Sequence, residues 1–304
     1  MTKPFAFVGL ISVFLMPGAW AATPQIDAAK IEEITGLKGK LNEKEATFKV
    51  SQPRADVKIA VDGWTMPPFM GLTTWAAFTK GRKSDLMVMG DLVLFQDEVN
   101  PVMSALFENG IDVTALHNHF FYEDPKVYFM HISGEGTSEK LAHGVRAALD
   151  KVKQIREASS TPSKSFGLSD LPGKSSITGK PIEEIIGQPG DAKDGMFKVT
   201  IGRNAKMACG CNAGKDMGVN TWAAFAGSDD NALVDGDFAV LEDELQPVLR
   251  SLRKSNVNIV AIHSHMTGEK PRTLFLHYWG RGKSTELAQA VKAALAVQTK
   301  GKTK

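Results

Sequence analysis

The string Thr74-Trp75-Ala76-Ala77-Phe78 returns as Thr221-Trp222-Ala223-Ala224-Phe225, and a series of further anchors returns with it in the same order. Gly90-Asp91 recurs as Gly236-Asp237, Asp97-Glu98 as Asp243-Glu244, and Pro101-Val102 as Pro247-Val248. His117, His119 and His131 recur as His263, His265 and His277, each 146 positions downstream. Self-similarity at a fixed spacing means one structural module used twice, which constrains the fold more tightly than any local propensity. The copies are expected over residues 26–157 and 178–299, joined by a Ser/Pro/Gly-rich linker over 158–177.

Inside one copy the apolar periods alternate between those of strands and helices. A short helix over 31–37 precedes strand patterns at 46–50 and 57–61, then β-branched and aromatic runs at 73–78 and 86–95. Val99, Val102, Met103 and Leu106 fall on one helical face, which Asn109-Gly110 ends. Strands at 111–120 and 126–133 follow, joined by the turn signal Glu123-Asp124-Pro125, and Ser138 can cap a final helix. This order predicts an α+β fold: a tandem duplication of a mainly antiparallel sheet with helices packed on one face. Trp75, Phe78, Trp222 and Phe225 are expected as core aromatics, and Met66, Met70, Met207 and Met217 as gap-fillers.

Six of the seven histidines belong to the repeated His-x-His…His pattern. Side chains at i and i+2 of a strand share a face, so His117 and His119 point together, as do His263 and His265. If the next strand returns with His117 opposite His131, three imidazoles converge in each copy. Such a trio suits Zn²⁺, Cu²⁺ or Fe²⁺ and leaves a coordination position open. Glu98 and Glu244 are then the candidates for fourth ligand, partner of a ligand, or general base. Arg54 and Arg203, which also recur, are expected in structural ion pairs. Cys209 and Cys211 stand too close together to scaffold a fold, so a local bridge or inert thiols are expected ahead of a soft-metal site.

Residues 1–21 have the form of a signal peptide: Lys3, an apolar run from Phe5 to Met16, then Ala19-Trp20-Ala21. The run is too short for a membrane span, and no later run approaches spanning length, so a periplasmic or secreted protein with no stable span after cleavage is expected. A net charge of +2 without a dense Lys/Arg run excludes a nucleic-acid partner.

The strings Thr74 to Phe78, Gly90-Asp91 through Val102, Leu116 to Phe120 and Met130-His131 resemble those of the LppY/LpqO-type family of secreted bacterial proteins. The resemblance covers both copies and implies export and a tandem arrangement, with no established activity. Some members of that family look like lipoproteins, whereas the signal here has no Cys at its cleavage site. The function expected is therefore an exported tandem-repeat protein that binds a divalent transition metal, zinc or copper. A metal-dependent hydrolase using Glu98 or Glu244 is one alternative. A module binding a small molecule, cell-wall glycan or protein, with structural histidines, is the other.

Overall fold

The computed structural model describes residues 26–298; the segment read as a signal peptide and the last residues of the chain lie outside them. Repeat one contains α1 (Ala28–Thr35), β1 (Gly39–Asn42), β2 (Thr47–Pro53), β3 (Thr73–Lys80), β4 (Leu86–Phe95), α2 (Gln96–Glu108), β5 (Asp112–His117), β6 (Val127–Gly136) and α3 (Ser138–Ala158). Repeat two contains α4 (Gly179–Ile186), β7 (Gly190–Lys193), β8 (Met196–Gly202), β9 (Asn220–Gly227), β10 (Ala232–Leu241), α5 (Leu245–Lys254), β11 (Asn258–His263), β12 (Thr273–Gly282) and α6 (Ser284–Ala296).

All these strands join one 12-stranded sheet in the order β1-β2-β3-β4-β6-β5-β11-β12-β10-β9-β8-β7. Its ladders are antiparallel, and the two halves meet where Leu116 of β5 pairs with Ile262 of β11. One hydrophobic core runs beneath both halves, taking Leu92, Leu116, Met130 and Val145 from repeat one and Phe238, Ile262, Leu276 and Val291 from repeat two. Each such side chain contributes about 1.5–3 kcal/mol by leaving water. The helices therefore cover one face of the sheet, and the other face is largely open.

Two amides lock the seam reciprocally. Asn100 Nδ2 donates to the Ile259 carbonyl at 3.0 Å, and the Ile259 N–H donates back to Asn100 Oδ1 at 2.8 Å. Gln246, the repeat counterpart of Asn100, donates to the Val113 carbonyl at 2.7 Å and accepts from its N–H at 3.2 Å. Val113 and Ile259 are themselves counterparts, and each lies beside a bulge. In β5, Val113 opposes Ile132 and Ala115 opposes His131, so two residues advance against one. The same irregularity separates Ile259 from Ala261. Because Thr114 is the extra residue, Val113 and Leu116 both reach the helical core, while Ala115 and His117 turn to the open face.

Several local expectations change. The pattern at 57–61 does not join the main sheet. Only Ala60–Val61 is extended, in a small sheet with Trp64–Thr65 and Glu123–Asp124. The chain leaves the main sheet there because β3 already occupies the free edge of β2. Ile59, Met66 and Leu72 then pack against Val93 and Phe129 and cover one corner of the open face. The strand expected through residue 120 ends at His117, and α3 is capped by Thr137, whose side chain accepts from the Lys140 N–H, rather than by Ser138. Phe78 and Phe225 are core residues as expected. Trp75 and Trp222 are not: they stand half-buried on the open face, each with a lysine Nζ 4.2 Å from its ring centroid, Lys49 over Trp75 and Lys198 over Trp222. Met66 is buried, whereas Met70 and Met217 are exposed.

Candidate metal centre

Register decides which histidines meet. His117 lies opposite Phe129, not opposite His131, and His131 lies opposite Ala115 on one side and Asp91 on the other. The offset is two residues, so the faces still agree. His117 and His131 stack with ring centroids 5.1 Å apart and planes within 9°. His119 lies beyond the end of β5, yet its ring centroid is 5.1 Å from that of His117 and it stacks on Phe129 at 3.3 Å. Repeat two reproduces this arrangement. His263 and His277 stack at 4.8 Å, His263 and His265 are 5.0 Å apart, and His265 stacks on Phe275 at 3.5 Å.

The carboxylate nearest these rings was not among the sequence candidates. Asp237 pairs across the ladder with His277, and its Oδ2 lies 3.4 Å from His265 Nε2. His265 Nε2 is 3.0 Å from His263 Nε2. One ligand atom from each of Asp237, His263 and His265 lies within 4.8 Å of the others, so these residues form a candidate metal-binding group. Two imidazole nitrogens on a tetrahedral zinc stand roughly 3.3 Å apart, given Zn–N bonds of 2.0–2.1 Å, so the spacing suits a shared ion. A carbonyl only accepts, so the 3.3 Å contact to the Gly218 carbonyl requires His265 Nδ1 to carry the proton, leaving Nε2 free to ligate. The same reasoning applies to His277 Nδ1, 3.3 Å from the Gly236 carbonyl. His277 stands behind the group, stacked on His263, rather than within it.

Asp91 is the repeat-one counterpart of Asp237, facing His131 across the ladder. Asp91 Oδ1 and Asp237 Oδ1 are both buried without a hydrogen-bond partner, as is His263 Nδ1. The repeated Gly90-Asp91 and Gly236-Asp237 pairs were the available signal, sharing the spacing of the histidines. The glycine has its own reason: a Cβ there would stand 2.7 Å from the Trp75 carbonyl oxygen in one copy and 2.4 Å from that of Trp222 in the other.

Electrostatics match the geometry. Burial pushes Asp237 up to about 6 and His263 down to about 4, with His277 and His265 adding to the second shift. Burial likewise raises Asp91 and lowers His117, His119 and His265. Imidazoles held neutral are in the form that binds metal ions.

Glu98 and Glu244 are engaged elsewhere. Glu98 is 0% exposed, accepts a bidentate pair from Arg54 at 2.7 and 2.6 Å, and lies 3.0 Å from Arg156 Nε. It also accepts from the Phe95 N–H at 2.8 Å, satisfying a donor at the start of α2. Glu244 accepts from Arg203 and from the Leu241 N–H in the same manner. The expected ion pairs of Arg54 and Arg203 are thus with these carboxylates. Cys209 and Cys211 are bridged to each other. Two cavities, of about 580 Å³ beside Arg54 and Leu149 and about 340 Å³ beside Asn100 and Phe166, are not lined by the triad histidines. Both histidine groups lie on the open face, flanking the seam. From β6 to β12 is three strand spacings, about 14 Å.

A family model described as Domain of Unknown Function (DUF1259) matches residues 29–151 and 180–297, once over each repeat. The chain belongs to this family. In this DUF1259 protein both matched spans carry the Asp and three-His arrangement. No curated protein matches the chain. Among solved structures, a trimeric bacterial microcompartment shell protein, PduB, is similar at 12% identity over 85% of this chain and 89% of that one, with a TM-score of 0.23. The double-ringed trimeric shell protein MSM0271 from the RMM microcompartment is similar at 11% identity over 83% and 94%, with a TM-score of 0.18. Such TM-scores carry no argument about this chain. Among the described residues no helix is long and apolar enough to cross a membrane.

Proposed function

We propose that this protein binds a divalent transition metal, zinc or copper, through Asp237, His263 and His265, and a second ion through Asp91, His117 and His119, with His277 and His131 stacked behind. The observation that carries the reading is the convergence of Asp237, His263 and His265 to within 4.8 Å at one point of the sheet. Neutral imidazoles and a carboxylate are a borderline donor set that suits both ions. Export to the periplasm or beyond belongs to the same reading and rests on the signal-like residues 1–21. So does kinship with the LppY/LpqO-type proteins, which rests on the repeated strings. A hydrolase using Glu98 or Glu244 is less well supported, since both carboxylates are held by guanidinium groups.

Isothermal titration of the purified chain with Zn²⁺ and with Cu²⁺ tests the proposal. Two equivalents are expected, one of them lost in a His263→Ala, His265→Ala variant and the other in His117→Ala, His119→Ala. Failure to bind either ion more tightly than about 1 mM would end it.

A further inference from the structure

Helix α5 carries two arginines whose charges are met in different ways. Arg250 Nη2 pairs with Asp112 Oδ1 at 2.7 Å. Arg253 lies against Asn258, which stands 146 positions after Asp112 and is its counterpart in repeat two. Arg253 Nη1 donates to Asn258 Oδ1 at 3.2 Å and to the Val257 carbonyl at 2.8 Å, and Nε donates to Ser104 Oγ at 3.1 Å. All three acceptors are neutral. Among the described residues no carboxylate pairs with Arg253, and its Nη2 meets no acceptor. Burial pushes Arg253 down to about 10, with no acid beside it to hold it up. The guanidinium still keeps its proton at neutral pH, so a partly desolvated charge stands without a counter-charge, a situation that proteins otherwise resolve with a paired acid.

This arginine lines the cavity of about 340 Å³, a volume that accommodates a small molecule. Linker residues form one wall of it. The Ser163 N–H donates to Asp97 Oδ2 at 3.0 Å, and Phe166 stacks on Trp279 with ring centroids 4.8 Å apart, so that wall is pinned at two points. Asp97, the acid that lines the cavity, has its charge met by Arg156. Lys164 adds a second positive charge, 3.9 Å from Asp124. Asn258 commits its oxygen to Arg253, which leaves its Nδ2 as a donor. Positive charge and amide donors select an anion, and the Arg250–Asp112 pair shows which kind completes a guanidinium on this helix. We propose that this cavity binds a small carboxylate anion, which meets Arg253 as Asp112 meets Arg250. Asn258 and Lys164 supply further donors, and Phe166 supplies an apolar wall for the rest of the ligand.

The test is calorimetric titration of the full chain with acetate, succinate and benzoate, and with inorganic phosphate. The chain is first stripped of metal and dialysed free of chelator, so that no carboxylate binds through an ion at the histidines and the metal reading can fail without affecting this one. At least one carboxylate is expected to bind more tightly than about 1 mM. Asn258→Asp supplies the acid that repeat one already has. It should weaken that binding about tenfold or more while its urea midpoint equals or exceeds that of the parent, which separates a filled site from a damaged fold. Arg253→Gln should weaken binding by as much. Arg82→Gln removes the same charge from the exposed turn between β3 and β4, outside the cavity and the proposed metal ligands, and should bind as the parent does. The proposal is overturned if no carboxylate binds, if Asn258→Asp binds as the parent does or lowers the midpoint, or if Arg82→Gln loses as much binding as Arg253→Gln. It is also overturned if phosphate binds more tightly than every carboxylate.

Discussion

At the level of single residues, Asp237 and His263 are displaced in opposite directions. Between pH 4 and 6 the pair is uncharged: His263 has lost its proton and Asp237 has kept its own. Above about 6 the aspartate ionises beside a His263 imidazole that is already neutral, and this pair becomes anionic. An ion binding there displaces the Asp237 proton at low pH and none from this pair at high pH. Zinc affinity at the repeat-two site should therefore rise about tenfold per pH unit up to roughly pH 6 and then flatten. Titration calorimetry at pH 5, 6, 7 and 8, in the His117→Ala, His119→Ala background, measures it. Asp237→Asn should remove the slope. A rise that continued through pH 7 would assign the dependence to histidines of ordinary pKa and count against this assignment.

At the level of elements, one carboxylate organises the junction between β4 and α2. Glu98 sits in the first turn of α2, where its charge opposes the helix dipole favourably, and it joins the strand end to Arg54 and Arg156. Removing it takes one of two carboxylate partners from each guanidinium, leaving Arg54 with Asp56 and Arg156 with Asp97 beside Phe95, and leaves the Phe95 N–H unpaired. Glu98→Ala should cost about 2–4 kcal/mol in urea unfolding, from the lost charged hydrogen bonds and the unpaired Phe95 N–H. Zinc affinity should stay within about twofold of the parent, because Glu98 is committed to guanidinium and helix-end contacts. A variant that kept its stability but lost metal would restore Glu98 to the site. The strand bulges act at the same level. If Thr114 paired in register instead of bulging, the period-two alternation would place His117 on the face of Val113, inside the helical core.

For the whole molecule, the continuous sheet makes the two repeats one folding unit. Asn100 is nearly buried and satisfies both backbone groups of Ile259 across the seam. Asn100→Ala leaves both unpaired, and each unsatisfied buried group costs about 1–3 kcal/mol. Gln246→Ala does the same to Val113. Differential scanning calorimetry should show a single transition for the parent chain, a lower one for each variant, and separation into two when both are combined. Two transitions in the parent would mean that the repeats fold independently and that the seam contributes little.

Much of this architecture was legible in the chain itself. The duplication, the α+β class, the helical core face and the strands from Thr73 onward follow from periods of two to four residues and from repetition, which are local properties, whereas the edge strands Gly39–Asn42 and Gly190–Lys193 carry no such period and the strand expected at 57–61 lies outside the main sheet. What escaped the sequence has one physical cause. Asp91 and Asp237, the displacement of His117 to a position opposite Phe129, and the exchange of Asn100 and Gln246 across the seam all depend on which strand lies beside which, and in what register. Those choices are made by long-range ladders and by one extra residue in each bulged strand. The residues Thr114 and Val260 carry no local mark of that role. The sequence by itself determined which side chains each repeat offers and which neighbours along the chain share a face; the assembled sheet alone decided which of them meet.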